Sequence, residues 1–228
     1  MTGSRWTRVV GGIAIAAAIA VGALYLGGVA RLPEGGFVPG SFVTHSVMLG
    51  ASLVVIRLWP GRRFADFGFT WGTYRFRPRI LLWVLPTAIL SLLSSLAPTS
   101  DDAQSIVAGR TELQLVIFVW FYASVCEEVL TRGLLQSLLS GPGVEGAAAP
   151  RLSMPVIVSG LFFGAMHLVL IDSMGPRAVL PIVLATLLGF LAAKYRENTG
   201  SLIPAIIVHA LFNVGGMLPG WLVSWLGT

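Results

Sequence analysis

Seven long apolar runs constrain this chain more than any other feature of its sequence. Of its 228 residues, 55% are hydrophobic and only 11% are charged, whereas soluble domains carry about 25% charged residues. Each run is close to the length of about 20 residues that crosses the hydrocarbon core of a bilayer. We therefore predict an all-α, polytopic transmembrane helical bundle of seven to eight spans, forming one membrane domain over residues 1–228. The predicted spans are Val9–Ala30, Phe42–Trp59, Ile80–Ala97, Leu113–Leu139, Pro155–Ile171, Ala178–Ala193 and Ser201–Met217, and the tail Leu218–Leu226 is either an eighth span or an interfacial segment.

The basic residues report membrane topology. A formal net charge of +5 suggests a nucleic-acid partner at first sight, but the basic residues lie in short links at the ends of the runs. An N-terminus in the cytoplasm places eleven of them inside and three outside, as the positive-inside rule requires. We expect an integral protein of a prokaryotic inner membrane with no nucleic-acid partner. Arg5 and Arg8 precede a first run of about 22 residues, longer than the core of about 7–15 in a secretory signal, so we expect a retained anchor.

Three charged residues stand inside the fourth run: Glu127, Glu128 and Arg132. Each charge at the centre of a membrane helix costs roughly 2.5–3.5 kcal/mol, so such residues usually have a partner or a function. Residues four apart share a helix face, which pairs Glu128 with Arg132 and leaves Glu127 rotated by about 100°. The pair belongs to a polar stripe that cannot face lipid, formed by Ser124, Glu128, Arg132 and Gln136.

Further polar residues lie in later runs at a similar depth. At about 1.5 Å of rise per residue, Glu127, His167 and Asn213 lie roughly 17–18 Å from the cytoplasmic ends of their helices, and His209 roughly 12 Å. This match predicts that the four side chains converge in one layer. His45, in the second run, lacks such company and is interpreted as a packing or cavity residue. Cys126 is interpreted as a small structural residue rather than a nucleophile.

A carboxylate and imidazoles in an intramembrane cavity suit the activation of water. We expect Glu127 to take a proton from water, with His167 orienting it, while Arg132 holds Glu128. His209 and Asn213, one turn apart, can donate to the oxyanion of a tetrahedral intermediate. The set predicts amide hydrolysis without a cofactor. The alternative is zinc held by Glu127, His167 and His209, although the motif H-E-x-x-H is absent.

Three motifs carry a resemblance to a known family. They are E-E-x-x-x-R at Glu127–Arg132, F-x-x-x-H at Phe163–His167 and H-x-x-x-N at His209–Asn213. The chain resembles the CPBP family of intramembrane proteases, the type II CAAX prenyl protease, Abi and bacteriocin-processing group, with its motif core at residues 113–217. The resemblance implies peptide-bond cleavage in a cavity within the membrane, with water activated by Glu127 and His167, an oxyanion site at His209 and Asn213, and Phe163 packed beside the site.

The substrate class follows from the same resemblance. We expect a membrane-associated peptide or protein, with CAAX-type C-terminal processing as one form of the reaction, and we make no prediction of oligomeric state. Two non-protease alternatives stay open at this point. One is a non-catalytic scaffold or bacteriocin immunity protein with the same fold. The other is a proton-coupled transporter, although no inverted repeat accompanies the intramembrane charges.

Overall fold

The structure, a computed structural model, describes residues 5–30, 32, 37–73, 85, 89, 111–140 and 152–226, with side chains up to Gly215. All regular secondary structure in these residues is helical, as predicted. The predicted span Ile80–Ala97 falls outside them except for Leu85 and Ile89. Also outside are six of the basic residues used for the topology: Arg31, Arg75, Arg77, Arg79, Arg110 and Arg151.

The first two helices form a hairpin. Helix α1 is Arg5–Val29 and helix α2 is Ser41–Leu58. They approach closely where α1 ends and α2 begins. At this point Gly27 leaves so little space that a Cβ atom on it would collide with the side chain of Thr44. After α2, the chain makes a short 3-10 turn at Phe64–Phe67 that Gly68 ends in the left-handed conformation, with φ at 89°.

Helix α3, Glu112–Ser140, is the central helix. A capping box starts it: the Thr111 hydroxyl accepts from the backbone of Gln114, whose side chain accepts from the backbone of Thr111. Two stretches of α3 are π-helical, Leu115–Ala123 and Val129–Gln136. They flank the α-helical segment Ser124–Glu128, so both glutamates lie at a junction between helix types. Such π-helical stretches occur frequently at functional sites.

The fifth predicted span is broken at the residue that the sequence places in its interior. Helix α4 covers only Met154–Met166, and a 3-10 turn at His167–Val169 leads into the short helix α5, Leu170–Met174. The expectation of one continuous helix over Pro155–Ile171 is therefore corrected. The backbone N–H of His167 points to Gly164 and Ala165 instead of Phe163. The ring of His167 makes the hydrogen bond to the Phe163 carbonyl instead, donating from Nδ1 at 2.8 Å.

Helices α4 and α6 pack antiparallel at unusually short distance. Helix α6 is Val179–Thr199, preceded by a 3-10 turn at Gly175–Ala178. A Cβ atom on Gly189 would lie 2.8 Å from the Gly160 carbonyl oxygen, and one on Gly164 would collide with Thr186. Glycine therefore lets the two backbones touch.

The last helix, α7, is Ile203–Leu226. Gly200, with φ at 69°, ends α6 and turns the chain toward it. The tail Leu218–Leu226 continues this helix, so the structure shows no separate helix there.

Four helical ranges among the described residues are long and apolar enough to cross a membrane. The longest contains α4 and α6, which fold back on each other, so it accounts for two predicted runs. The apolar stretch of α7, Ile203–Gly215, is shorter. In the part of the chain that the structure describes, these four ranges therefore do not confirm the predicted seven to eight spans. The ranges are Trp6–Val29, Ser41–Leu58, Glu112–Ser140 and Met154–Thr199.

The described residues form two hydrophobic clusters. One joins α1, α2 and α3 and includes Ile56 and Leu134; the other joins α4, α6 and α7 and includes Leu188 and Val208. The polar stripe of α3 is buried, as predicted: Ser124, Glu128, Arg132 and Gln136 are at most 2% exposed.

Polar contacts gather several helix ends at one end of the bundle. Arg62 donates to the Ser137 carbonyl at 2.8 Å, and Arg196 donates to the Ser137 hydroxyl at 3.2 Å. The Thr73 N–H donates to the Thr199 carbonyl at 2.9 Å. The contacts join the segment after α2, the end of α3 and the end of α6, which the charge pattern assigns to one side of the membrane. The relative directions of these three helices therefore agree with the predicted up-and-down alternation of spans.

The contact between α4 and α6 generates a stability prediction. We expect Gly189→Ala to lower the melting temperature of the detergent-solubilised protein, because the new methyl meets the backbone of Gly160 and overpacking of this kind costs about 1–3 kcal/mol. The matched control is Gly50→Ala in α2, where the new methyl has nothing within 4 Å. Equal melting temperatures for the two variants would contradict the close contact.

Candidate active site

A cavity of about 830 Å³ lies between α1, α2, α3, α4 and α7. Its walls are largely apolar, and the titratable and amide side chains that line it are few. All three histidines of the chain are among them, although they come from three different helical regions. These lining residues are Glu127, His45, His167, His209 and Asn213.

A buried ion pair between Glu128 and Arg132 lies behind the cavity wall. Arg132 donates from Nη1 to Glu128 Oε1 at 3.1 Å, and both side chains are completely buried. Its Nη2 donates to the Gly189 carbonyl of α6 at 2.8 Å. The guanidinium also lies 4.5 Å above the ring of Phe163 on α4. One arginine therefore fixes α3 against α4 and α6 while it neutralises Glu128.

Glu128 in turn orients His209. The Nδ1 atom of His209 donates to Glu128 Oε1 at 2.9 Å, which turns Nε2 toward Glu127, 3.9 Å from its Oε2. The Phe163 ring packs edge-to-face on the His209 ring, with 5.2 Å between centroids. Both contacts restrict rotation of the imidazole.

Glu127 differs from Glu128 in its access to the cavity. Its side chain retains 14% exposure and lines the cavity, whereas Glu128 is fully buried and does not. Its Oε1 lies 3.2 Å from Nε2 of His45. Its Oε2 is buried and has no hydrogen-bond partner among the described residues. An unpartnered buried carboxylate oxygen is costly, so this atom needs a water molecule or a ligand as its partner.

His167 presents one nitrogen for chemistry. A carbonyl oxygen only accepts hydrogen bonds, so the 2.8 Å contact with the Phe163 carbonyl requires a proton on Nδ1. In the neutral ring, Nε2 then carries a lone pair. The Phe163 ring lies 4.8 Å from the His167 ring between centroids and packs against both this histidine and His209.

The amide of Asn213 points toward α3. Its Nδ2 donates to the Val119 carbonyl at 3.2 Å and to the Ser124 hydroxyl at 3.1 Å. Ser124 itself donates to the Trp120 carbonyl at 2.6 Å. Asn213 thus lines the cavity while its two N–H groups are engaged, and its role as an oxyanion donor stays a prediction.

The sequence-predicted residues Glu127, His167, His209 and Asn213 line the same cavity, as the depth comparison predicts. Glu128, Arg132 and Phe163 lie immediately behind them. His45 is the residue that sequence reasoning undervalued, since it contacts Glu127 directly. One feature of the sequence did point to His45. The chain has only three histidines, and all three lie in apolar runs.

The two remaining sequence predictions concern metal and thiol chemistry. Among the described residues, no three His, Cys, Asp or Glu side chains are grouped so that they could hold a metal ion. Cys126 is fully buried and does not line the cavity.

Comparison with known proteins defines the class. The described helices and the site are those of an integral helical membrane protein with a mostly apolar cavity that carries a few polar side chains. Residues 109–215, just under half of the chain, match the family described as Rce1-like, "Type II CAAX prenyl endopeptidase Rce1-like", so this part of the chain is similar to that family of CAAX proteases. The matched range contains all three motifs. Comparisons with curated proteins and with solved structures give no match.

The buried pair generates a prediction on stability. We expect Arg132→Met to destabilise the protein by about 3–5 kcal/mol, because removal of one partner leaves the Glu128 carboxylate buried without its cation. The double variant Glu128→Gln/Arg132→Met should recover part of this loss, since it removes the uncompensated charge. Thermal unfolding in one detergent compares the three proteins. The ion-pair account is wrong if the double variant is no more stable than Arg132→Met.

Proposed function

We propose that this protein is an intramembrane endopeptidase that hydrolyses a peptide bond of a membrane-associated protein or peptide through water activated by glutamate and histidine. One observation carries the proposal. Glu127 lines a cavity within the helical bundle, and one of its oxygens has no protein partner among the described residues. A group placed in this way is available to a water molecule and a substrate.

The first chemical step is attack by water. Glu127 accepts one proton from the water while the oxygen forms a bond to the scissile carbonyl carbon. His167 orients the water through the lone pair on Nε2, because its Nδ1 is occupied by the Phe163 carbonyl. The proton held by Glu127 then passes to the leaving nitrogen as the carbon–nitrogen bond breaks, so the residue ends the cycle as it began.

The tetrahedral intermediate carries a negative oxygen that needs donors. His209 and Asn213 fill this role in the proposal. His209 donates from Nε2 when both ring nitrogens are protonated, and two carboxylates around the ring, at 2.9 and 3.9 Å, compensate its charge. Asn213 donates to the intermediate by exchanging its contact with Ser124 for the substrate.

The cavity supports a peptide as the substrate. A volume of about 830 Å³ accommodates several residues of an extended chain, and its mostly apolar walls suit side chains that come from a membrane. Helices α1 and α2, which precede the matched family range, supply part of these walls. We expect these two helices to influence which peptide enters. CAAX-type C-terminal processing is the form of the reaction that the family description favours.

The decisive experiment measures peptide cleavage by the purified full-length protein in proteoliposomes, with mass spectrometry of the products. We expect Glu127→Ala and His167→Ala to abolish cleavage of a set of prenylated and unprenylated membrane peptides, because both side chains act on the attacking water. Cys126→Ala is the matched control and should remain active, since its thiol is buried away from the cavity.

A chelator distinguishes the two water-activation mechanisms in the same assay. Cleavage that survives a strong chelator supports the metal-free mechanism. Cleavage that is lost on chelation and restored by zinc would instead identify Glu127, His167 and His209 as zinc ligands. Full activity of purified Glu127→Ala would refute the proposed mechanism altogether.

The oxyanion role of Asn213 has its own test. We expect Asn213→Ala to lower kcat by about a hundredfold to a thousandfold with little change in KM, the usual effect of removing one oxyanion donor. Ser124→Ala removes one of the two resting acceptors of the amide and leaves the Asn213 donor in place, so it should leave kcat close to that of the wild type. Equal losses in the two variants would show that the contact between α7 and α3 matters, rather than donation to the substrate.

A further inference from the structure

His45 reaches the candidate site from outside the matched family range. Helix α2 carries it, 82 positions before Glu127, and its Nε2 lies 3.2 Å from Glu127 Oε1. Both side chains are largely buried, with 16% and 14% exposure. The ring thus closes the side of the carboxylate opposite to His209, which faces Oε2.

The hydrogen bonds of His45 define where its protons are. Its Nδ1 lies 2.7 Å from the Ser41 backbone carbonyl, which can only accept, so Nδ1 carries a proton. A second proton must then lie between Nε2 and Glu127 Oε1, because otherwise two lone pairs would face each other at 3.2 Å. The contact is therefore a shared-proton pair between an imidazole and a carboxylate.

Each of the adjacent glutamates consequently has its own basic partner. Arg132 serves Glu128 from the same helix, and His45 serves Glu127 from α2. The two arrangements differ in a chemically useful way. Arginine stays protonated in proteins, whereas an imidazole exchanges its proton readily near neutral pH. Glu128 also accepts from His209, but it keeps a permanent cation beside it. The charge partners of Glu127 among the described residues are imidazoles, which can follow a change in its charge.

We infer that His45 is a positioning residue for the reaction proposed above: it holds Oε1 of Glu127 through the shared proton and leaves Oε2 to receive the proton of the attacking water. This inference rests on the proposed function. When Oε2 gains a proton during attack, Glu127 loses its negative charge. His45 then keeps the second oxygen in place until the proton moves on to the leaving nitrogen.

The test compares variants of the full-length protein in proteoliposomes, using the peptide that the wild type cleaves fastest. We expect His45→Gln to lower kcat by about a hundredfold with KM unchanged, because glutamine keeps an N–H donor but cannot exchange a proton with the carboxylate. Ser52→Ala is the control for a change in α2: this side chain is buried, and its hydroxyl has no hydrogen-bond partner among the described residues. It should behave as the wild type.

Chemical rescue separates proton exchange from packing. We expect added imidazole to restore a measurable part of the activity of His45→Ala, since the missing ring opens into the cavity. Pyrrole, a ring of the same size with an N–H donor but no basic nitrogen, should not restore activity. Equal rescue by both rings, or a loss confined to KM, would show that His45 only fills space and would overturn the inference.

The remaining outcomes separate this inference from the proposed function. Wild-type activity in both His45 variants, with Glu127→Ala inactive, overturns the role of His45 and leaves the protease standing. Loss of the wild-type melting transition in both His45 variants, but not in Ser52→Ala, identifies a packing residue and overturns the role as well. A wild type that cleaves none of the peptides refutes the proposed function and this inference with it.

Discussion

The fold depends on how one buried guanidinium is neutralised and on where its two terminal nitrogens donate. Arg132 and Glu128 lie four residues apart on α3, so their charges can enter the membrane as a pair on one helix. The second guanidinium nitrogen still needs an acceptor, and it finds the Gly189 carbonyl on α6. Glu128 Oε1 also accepts from His209 on α7. A charge pair that is local in sequence thereby fixes two distant helices.

The carbonyl that accepts from Arg132 belongs to a close contact between two backbones. Gly189 on α6 provides this carbonyl and lies against Gly160 on α4. The same helix α4 presents Phe163 to the guanidinium and to both imidazoles. Small residues at the helix contact and large polar groups behind the cavity are therefore parts of one arrangement. The geometry of the site follows from helix packing.

What the sequence predicts well is local to one helix or one layer. The pairing of Glu128 with Arg132 follows from a spacing of four residues, and the shared depth of Glu127, His167 and Asn213 follows from the helical rise per residue. The contact of His45 with Glu127 does not follow, because it depends on how α2 is rotated against α3. The helix break at His167 was also missed, since the surrounding run stays apolar and has no proline or glycine at the break. Its cause is a side chain that replaces a backbone donor.

Two neighbouring glutamates illustrate how environment separates roles in one sequence motif. A rotation of about 100° between consecutive helix positions sends one carboxylate into the bundle and the other to the cavity wall. The inner one binds a permanent cation and an imidazole N–H through the same oxygen, which suits it to holding helices together. The outer one has an imidazole on one oxygen and lines the cavity. The second oxygen of each carboxylate has no hydrogen-bond partner among the described residues, so access to the cavity is what separates the two. Proton transfer needs a group whose charge can change without collapse of its surroundings. The proposed reaction therefore assigns proton transfer to Glu127 and leaves Glu128 as the rigid frame that keeps it in place.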